Sequence, residues 1–356
     1  MTVSRPGPRP RDQLRLRPPP LPEPRGPLSA AVTARLREPI PGSTPSTAPS
    51  PAPSPLPSPA DCSVYGDDLQ LALYVLYELH YQGFQGVPDS LEWDSALLAC
   101  RAAIEERFLA ALRRDVPMDD GTAPTVTAAQ ALDALQLEPV GDAPGSVSHF
   151  LRDEGGLDQL REYAAVRSLY HLKEADPHAW VLPRLHGRAK AAMVAVEFDE
   201  FGGGRAERIH AQLFADLMED LRLDATYGHY VDAAPAEALA TVNLMSLFGL
   251  HRALRAALVG HFAAVEVTSS PASRRLAEAL RRVGAGPAAV RFYAEHVEAD
   301  AVHEQIVRHD VVGGLLEGEP HLDADVVFGI RATARLDDRL ADRLLGAWRA
   351  GATALR

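Results

Sequence analysis

Asp67-Asp68-Leu69-Gln70-Leu71-Ala72-Leu73-Tyr74-Val75-Leu76-Tyr77-Glu78-Leu79-His80-Tyr81-Gln82-Gly83-Phe84 is apolar on almost every side of a helical turn between Leu69 and Leu76. A helix without a polar face must be buried, and aspartates at its start suit the positive end of the helix dipole. We read it as a helix from Asp67 or Asp68 to about Phe84, deep within an all-α domain. Outward from it, Ala, Leu, Arg and Glu remain abundant and alternating β-branched runs are scarce, which favours helices throughout. The pattern predicts helices from Ser90 or Asp94 to about Arg114, over 127–136 and 146–175, and from near Pro183 to about Phe201. Others follow over Arg205–Leu221 and at about 236–261, 270–283, 287–310 and 335–350. Residues 115–126 read as a loop, Pro177 closes the helix before it, and Gly202-Gly203-Gly204 interrupts another.

Upstream the composition changes. Eighteen of the 29 prolines lie in residues 1–60, with eight of the 36 basic residues, all Arg, and three of the 48 acids. Residues 1–62 are therefore expected to be a disordered Pro/Ser/Arg-rich arm, since such a stretch buries too little apolar surface to offset its ordering entropy. The first 60 residues carry a net charge of +5 and the remaining chain −17. So acidic a body argues against nucleic acid as the partner, because phosphate binding needs a concentrated basic surface, and points to a small molecule. Two cysteines, Cys62 and Cys100, make neither a disulfide scaffold nor a thiolate metal cluster. With no run of 18 apolar residues and no apolar segment behind the N-terminal arginines, neither a membrane span nor a signal peptide is expected. The expected compartment is the cytoplasm.

Ligand-type side chains interrupt the apolar stripes at several places, where they need a reason to be. His296, Asp300 and His303 share one helix face by their spacing, and two imidazoles with a carboxylate suit iron, manganese or zinc. A solvated face is the alternative, with Glu295, Glu298 and Glu304 nearby. His210 extends the stripe of Leu213, Phe214, Leu217 and Leu221, and so should point inward. Glu200 ends the stripe of Ala189, Met193 and Val196 across the glycines, with Glu197, Asp199 and Glu207 as competing carboxylates. Glu207-x-x-His210 is itself the ligand spacing of ferritin-like bundles. Glu174, in the expected last turn before Pro177, is unfavourable to the helix dipole and calls for a positive partner, either Lys173 at the surface or a metal. Glu78 is either the ionic end of a buried helix or a hydrogen-bond acceptor orienting a ligand.

Taken in order, Lys173-Glu174-Ala175-Asp176-Pro177-His178, Pro183-Arg184-Leu185, Asp199-Glu200-Phe201-Gly202-Gly203-Gly204 with His210-x-x-Leu213-Phe214, and Glu295-His296-x3-Asp300-x2-His303 resemble the haem-oxygenase-like diiron oxidases and oxygenases, the "iron-containing redox enzyme" proteins. The likeness spans about residues 65–345. It implies a haem-oxygenase-like multi-helix bundle over 63–350, with accessory helices in 63–145 and a metal-binding core in 146–350. It also implies Glu174, Glu200, His210, His296, Asp300 and His303 as both metal ligands and catalytic residues. They would hold two Fe(II) ions, with manganese as the alternative metal, O2 as co-substrate and no haem. A homodimer, a small-molecule substrate and an electron donor complete the expectation. Substrates in the family range from amino acids to fatty acids, and reactions from N-oxygenation to desaturation and C–C cleavage, so fold and ligands do not name the substrate. Arg184, Arg188 and Lys190 are candidates to pair with a substrate carboxylate, and Tyr170, Tyr293 and Trp180 to line a pocket. The rivals are a ferritin-like iron or manganese protein and a metal-free helical interaction protein.

Overall fold

Every residue from Leu69 to Glu78 is buried in α2 (Asp67–Glu78). The computed structural model describes residues 17–38, 56–116, 126–136 and 146–356, without the side chains of Glu298, Asp300 and Ala301. Among the described residues all regular structure is helical. Gln70 and Asn243, polar groups in this interior, bond to one another: Asn243 Nδ2 donates to Gln70 O and Oε1, and Gln70 Nε2 to Val64 O. The helix ends six residues before the expected Phe84, as the chain turns and Gly83 takes a φ of +62°.

Part of the expected arm is helical. Residues 1–16 and 39–55 lie outside the described residues, as do 117–125 of the expected loop, but α1 (Pro27–Arg37) is a helix packed on α2. Leu28, Val32 and Leu36, spaced by four, are buried on one face. Averaging over a proline-rich stretch concealed this short amphipathic run. Pro27 occupies the first turn, where proline needs no donor, and the start is capped from another helix: Leu28 N and Ser29 N donate to the Asp68 carboxylate at 3.0 and 2.7 Å.

α3 (Ser95–Asp115) begins at Asp94, whose side chain accepts from Ala96 N and Leu97 N, as a capping aspartate should. α4 (Ala128–Gln136), α5 (Val147–Asp153) and α6 (Leu157–His171) follow, Gly155-Gly156 dividing the expected single helix over 146–175. After the single turn of α7 (Asp176–Ala179) come α8 (Gly187–Glu200), α9 (His210–Asp220) and α10 (Ala236–Leu250). α10 stops at Leu250 because Arg184 caps it, donating to Gly249 O and Leu250 O. α11 (Arg255–Arg282) then runs unbroken through Pro271, where two helices were expected. α12 (Pro287–Ile306) continues through a π-helical turn, Val307–Val312, into α13 (Gly313–Gly318), and α14 (Asp323–Arg349) closes the core. α11 is central, packed against both α12 and α14. A side chain on Gly260 would strike Val326 O, and one on Gly329 would strike Ala257 O, so α11 and α14 touch backbone to backbone.

Candidate metal centre

Glu174 sits beyond its helix, not in the last turn: α6 ends at His171, and a tight turn through Ala175, whose φ is +76°, aims the carboxylate inward. Positive φ costs a non-glycine residue roughly 1–3 kcal/mol and persists where the surroundings enforce it. Lys173 lies two residues before Ala175. Rather than lying on the surface it is 3% exposed, its Nζ 2.9 Å from Glu78 Oε2, over the rings of Tyr81 and Tyr74. Tyr227 donates to the other oxygen of Glu78 at 2.7 Å. Glu78 is therefore the ionic end of its helix, paired with Lys173.

Glu200 ends α8 and His210 opens α9. Gly202, Gly203 and Gly204 all take left-handed φ between them, which folds the chain back so that His210 Nδ1 lies 2.7 Å from Glu200 Oε2. α12 brings His296, whose Nδ1 donates to Phe292 O at 2.8 Å while Nε2 faces Glu174 Oε2, 3.9 Å away. One face of the cluster is therefore Glu174, Glu200, His210 and His296, all buried, with donor atoms within 4.8 Å of one another. The other joins Glu200 to Glu266 and His303. His303 Nδ1 is 3.4 Å from Glu266 Oε2 and 3.7 Å from Glu200 Oε1, while Nε2 lies 3.3 Å from Asp199. Five of the six expected ligands thus converge. The side chain of Asp300 lies outside the described residues, although its position on α12 falls between the two histidines.

Glu266 was not anticipated. It stands in Phe262-Ala263-Ala264-Val265-Glu266-Val267, a lone carboxylate in an apolar run, the signal that had drawn attention to Glu78. Glu207 is exposed, so Glu207-x-x-His210 makes no ligand pair. Nor do the expected anchors reach this region: Arg184 caps α10, and Arg188 pairs with Asp310 and Glu317 at the surface. Neither Lys190 nor Trp180 lines the cavity beside the cluster, whereas Tyr170 and Tyr293 do.

The donor set is short of positive charge. Glu174 Oε2, both oxygens of Glu197 and Glu266 Oε2 are buried without a hydrogen-bond partner among the described residues, a costly state for carboxylates. Burial, with Glu200 and Glu266 close by, pushes Glu197 up to about 9. Burial likewise raises Glu266. Burial opposes charge on His303, yet Glu266 and Glu200 outweigh it and push the imidazole up to about 9. At Glu174 burial is overcome by His171 and His296, which hold its carboxyl well below the usual range; His171 Nδ1 is 2.8 Å from Glu174 Oε1. Protons shared among carboxylates and imidazoles stand where cations would neutralise them better, and a mixed nitrogen and oxygen set suits iron or manganese.

No curated protein matches the chain in sequence. The family model described as "iron-containing redox enzyme" matches residues 161–338, half the chain. That span contains both donor groups and Glu266, and leaves α1 to α5 outside. With its all-α, haem-oxygenase-like bundle and a buried Glu/His cluster able to hold metal, the chain belongs to the iron-containing redox enzymes.

Proposed function

We propose that the protein is a non-haem diiron oxidase or oxygenase that uses O2 to oxidise a small organic substrate. The observation that carries this reading is the pair of buried donor groups hinged on one carboxylate, Glu200. Glu174, His210 and His296 would hold one Fe(II), His303 and Glu266 with Asp300 the second, and Glu200 lies between both. Bound there, iron supplies the electron transfer to O2 that side chains cannot. The protein's own part is to place donors, keep protons on defined atoms and exclude water. Tyr170, His178, Phe262 and Val265 wall a space of about 20 Å³ against Glu174, Glu200, Glu266 and His296, room for one very small molecule. A cytoplasmic homodimer served by an electron donor belongs to the same reading.

The ferritin-like alternative loses its Glu-x-x-His unit with the exposure of Glu207. A metal-free interaction protein gives no reason for carboxylate oxygens buried without a hydrogen-bond partner among the described residues. The test is elemental analysis after anaerobic Fe(II) loading of wild type, Glu200→Ala and His303→Ala. We expect about two irons per chain, as in di-iron carboxylate bundles, lost from both variants, and a transient chromophore on exposure to O2. Iron near zero in wild type, or unchanged by either substitution, would refute the reading.

A further inference from the structure

A cavity of about 300 Å³ opens beside the Glu174 and His296 face of the cluster, walled by α5, α6, α11, α12 and α14. This is the low end of the range for small-molecule sites. Its lining is rich in hydroxyls, among them Ser148, Tyr163, Thr268, Ser273 and Tyr293. Ser148 already accepts from Arg275 Nε and Thr268 already donates to Ala264 O, and Leu276, Phe292 and Leu344 complete a wall of mixed character.

Four charged side chains line it: Glu174 at its inner end, Arg167, and the exposed Asp337 and Asp338 at its rim. Arg167, on α6, is one helical turn before His171. Its Nε is sealed from solvent and has no hydrogen-bond acceptor among the described residues. Asp337, on α14, lines the same cavity and lies near enough to Arg167 to favour its charge. The two form no ion pair among the described residues, so a guanidinium and a carboxylate face one chamber without neutralising each other directly. A guanidinium so placed is suited to a carboxylate, which it can bind bidentately, and Asp337 to an ammonium group.

We propose that this cavity is an amino-acid site, in which Arg167 binds the α-carboxylate, Asp337 the α-ammonium, and the side chain extends toward Glu174 and His296. The position of the reacting atoms rests on the diiron reading, but the recognition of a zwitterion does not. It narrows the substrate to a free amino acid or a close analogue that keeps both charges, with oxidation falling on the side chain.

The test is anaerobic calorimetric titration of the iron-loaded protein with each proteinogenic L-amino acid, and with dodecanoic acid as an acyl competitor. We expect at least one amino acid to bind, and its methyl ester and N-acetyl form, each lacking one charge, to bind more weakly. Arg167→Gln should weaken binding by roughly tenfold to a hundredfold, the loss expected for a charged hydrogen-bonded pair. Arg167→Lys should recover part of it, and Asp337→Asn should weaken the parent amino acid more than its N-acetyl form. Iron content should stay at the wild-type value in all three variants. If Arg167→Gln melts without cooperativity, the lysine variant and the methyl ester carry the comparison. No binding by any amino acid, tighter binding of dodecanoic acid than of all of them, or undiminished binding in a folded Arg167→Gln protein overturns the proposal. Arg167-dependent binding in a protein that takes up no iron would sink the diiron reading alone; iron uptake without amino-acid binding would sink the amino-acid site alone.

Discussion

Glu266 meets Glu200 on one side and His303, 3.4 Å away, on the other. Its replacement by the neutral isostere, Glu266→Gln, should lower bound iron from about two toward about one per chain, because it removes a donor from only one group. Elemental analysis after Fe(II) loading reads the change, and an unaltered iron count would remove Glu266 from the ligand set. On the far side of the small chamber, His178 and His261 lie ring to ring at 5.2 Å, both buried. Burial pushes His178 down to about 4, and burial with His178 nearby holds His261 well below the usual range. Their folded-state values lie below the unfolded one, so the unfolded chain binds more protons as pH falls from about 6.5 toward 4. Stability is complete above that window and is lost on acidification. Between pH 7 and pH 4 the metal-free wild type should lose about 3 kcal/mol more than His178→Asn, at roughly 1.4 kcal/mol per pH unit. Urea unfolding at the two pH values measures it, and equal losses would contradict a neutral buried imidazole. At this scale the histidines were legible because imidazole in an apolar stripe stands out. Lys173 was misplaced because sequence offers no sign that a lysine's partner waits ninety-five residues upstream in Glu78. Arg167 was passed over because its neighbours on α6 look like an ordinary mixed helix surface.

Two glycines, Gly260 and Gly329, let α11 and α14 cross in backbone contact, and those helices carry Glu266 and Asp337 respectively. Gly260→Ala has no flexible neighbour to push aside, since the obstacle is the Val326 carbonyl. It should destabilise the protein by about 1–3 kcal/mol, the usual cost of overpacking, whereas Gly346→Ala, which meets nothing within 4 Å on the same α14, should be neutral or stabilising by a few tenths. Thermal denaturation distinguishes them, and equal effects would argue against a close crossing. Helix existence was readable from composition, while several ends were not. Proline in the interior usually breaks a helix, yet α11 passes through Pro271 and the real interruption comes earlier, where Arg184 caps α10 from sixty-six residues away. A boundary set by a remote side chain leaves no local trace.

The segment before α1 and the residues after α14 meet at Asp67. Arg25, just before α1, places Nη1 2.8 Å from Asp67 and donates from Nη2 to Val231 O, while Arg356 lies 3.7 Å from Asp67 and its amide donates to Ala233 O. Deleting residues 1–38 should therefore uncover the apolar surface of α2 and lower the melting temperature by several degrees. Loss of a buried Leu, Val and Leu face is worth a few kcal/mol. Scanning calorimetry on the truncated and full chains decides it, and identical melting would return α1 to the status of a dispensable tail. The overall architecture was recoverable because ligand residues keep their order along the chain. That meeting was not, because it depends on contacts between segments separated by two hundred residues or more.

The glycine triplet between Glu200 and His210 works as a ruler. All three residues occupy left-handed backbone, and a side chain on Gly202 would meet the backbone of Arg208 and Ile209, so the segment has one length at which it closes. Metal–ligand distances tolerate about 0.2 Å, whereas one inserted residue adds up to about 3.5 Å of chain. The spacing of these two candidate ligands would thus be a dimension of the centre itself, and a relative that lengthened this loop would have to draw its nitrogen donor from somewhere else.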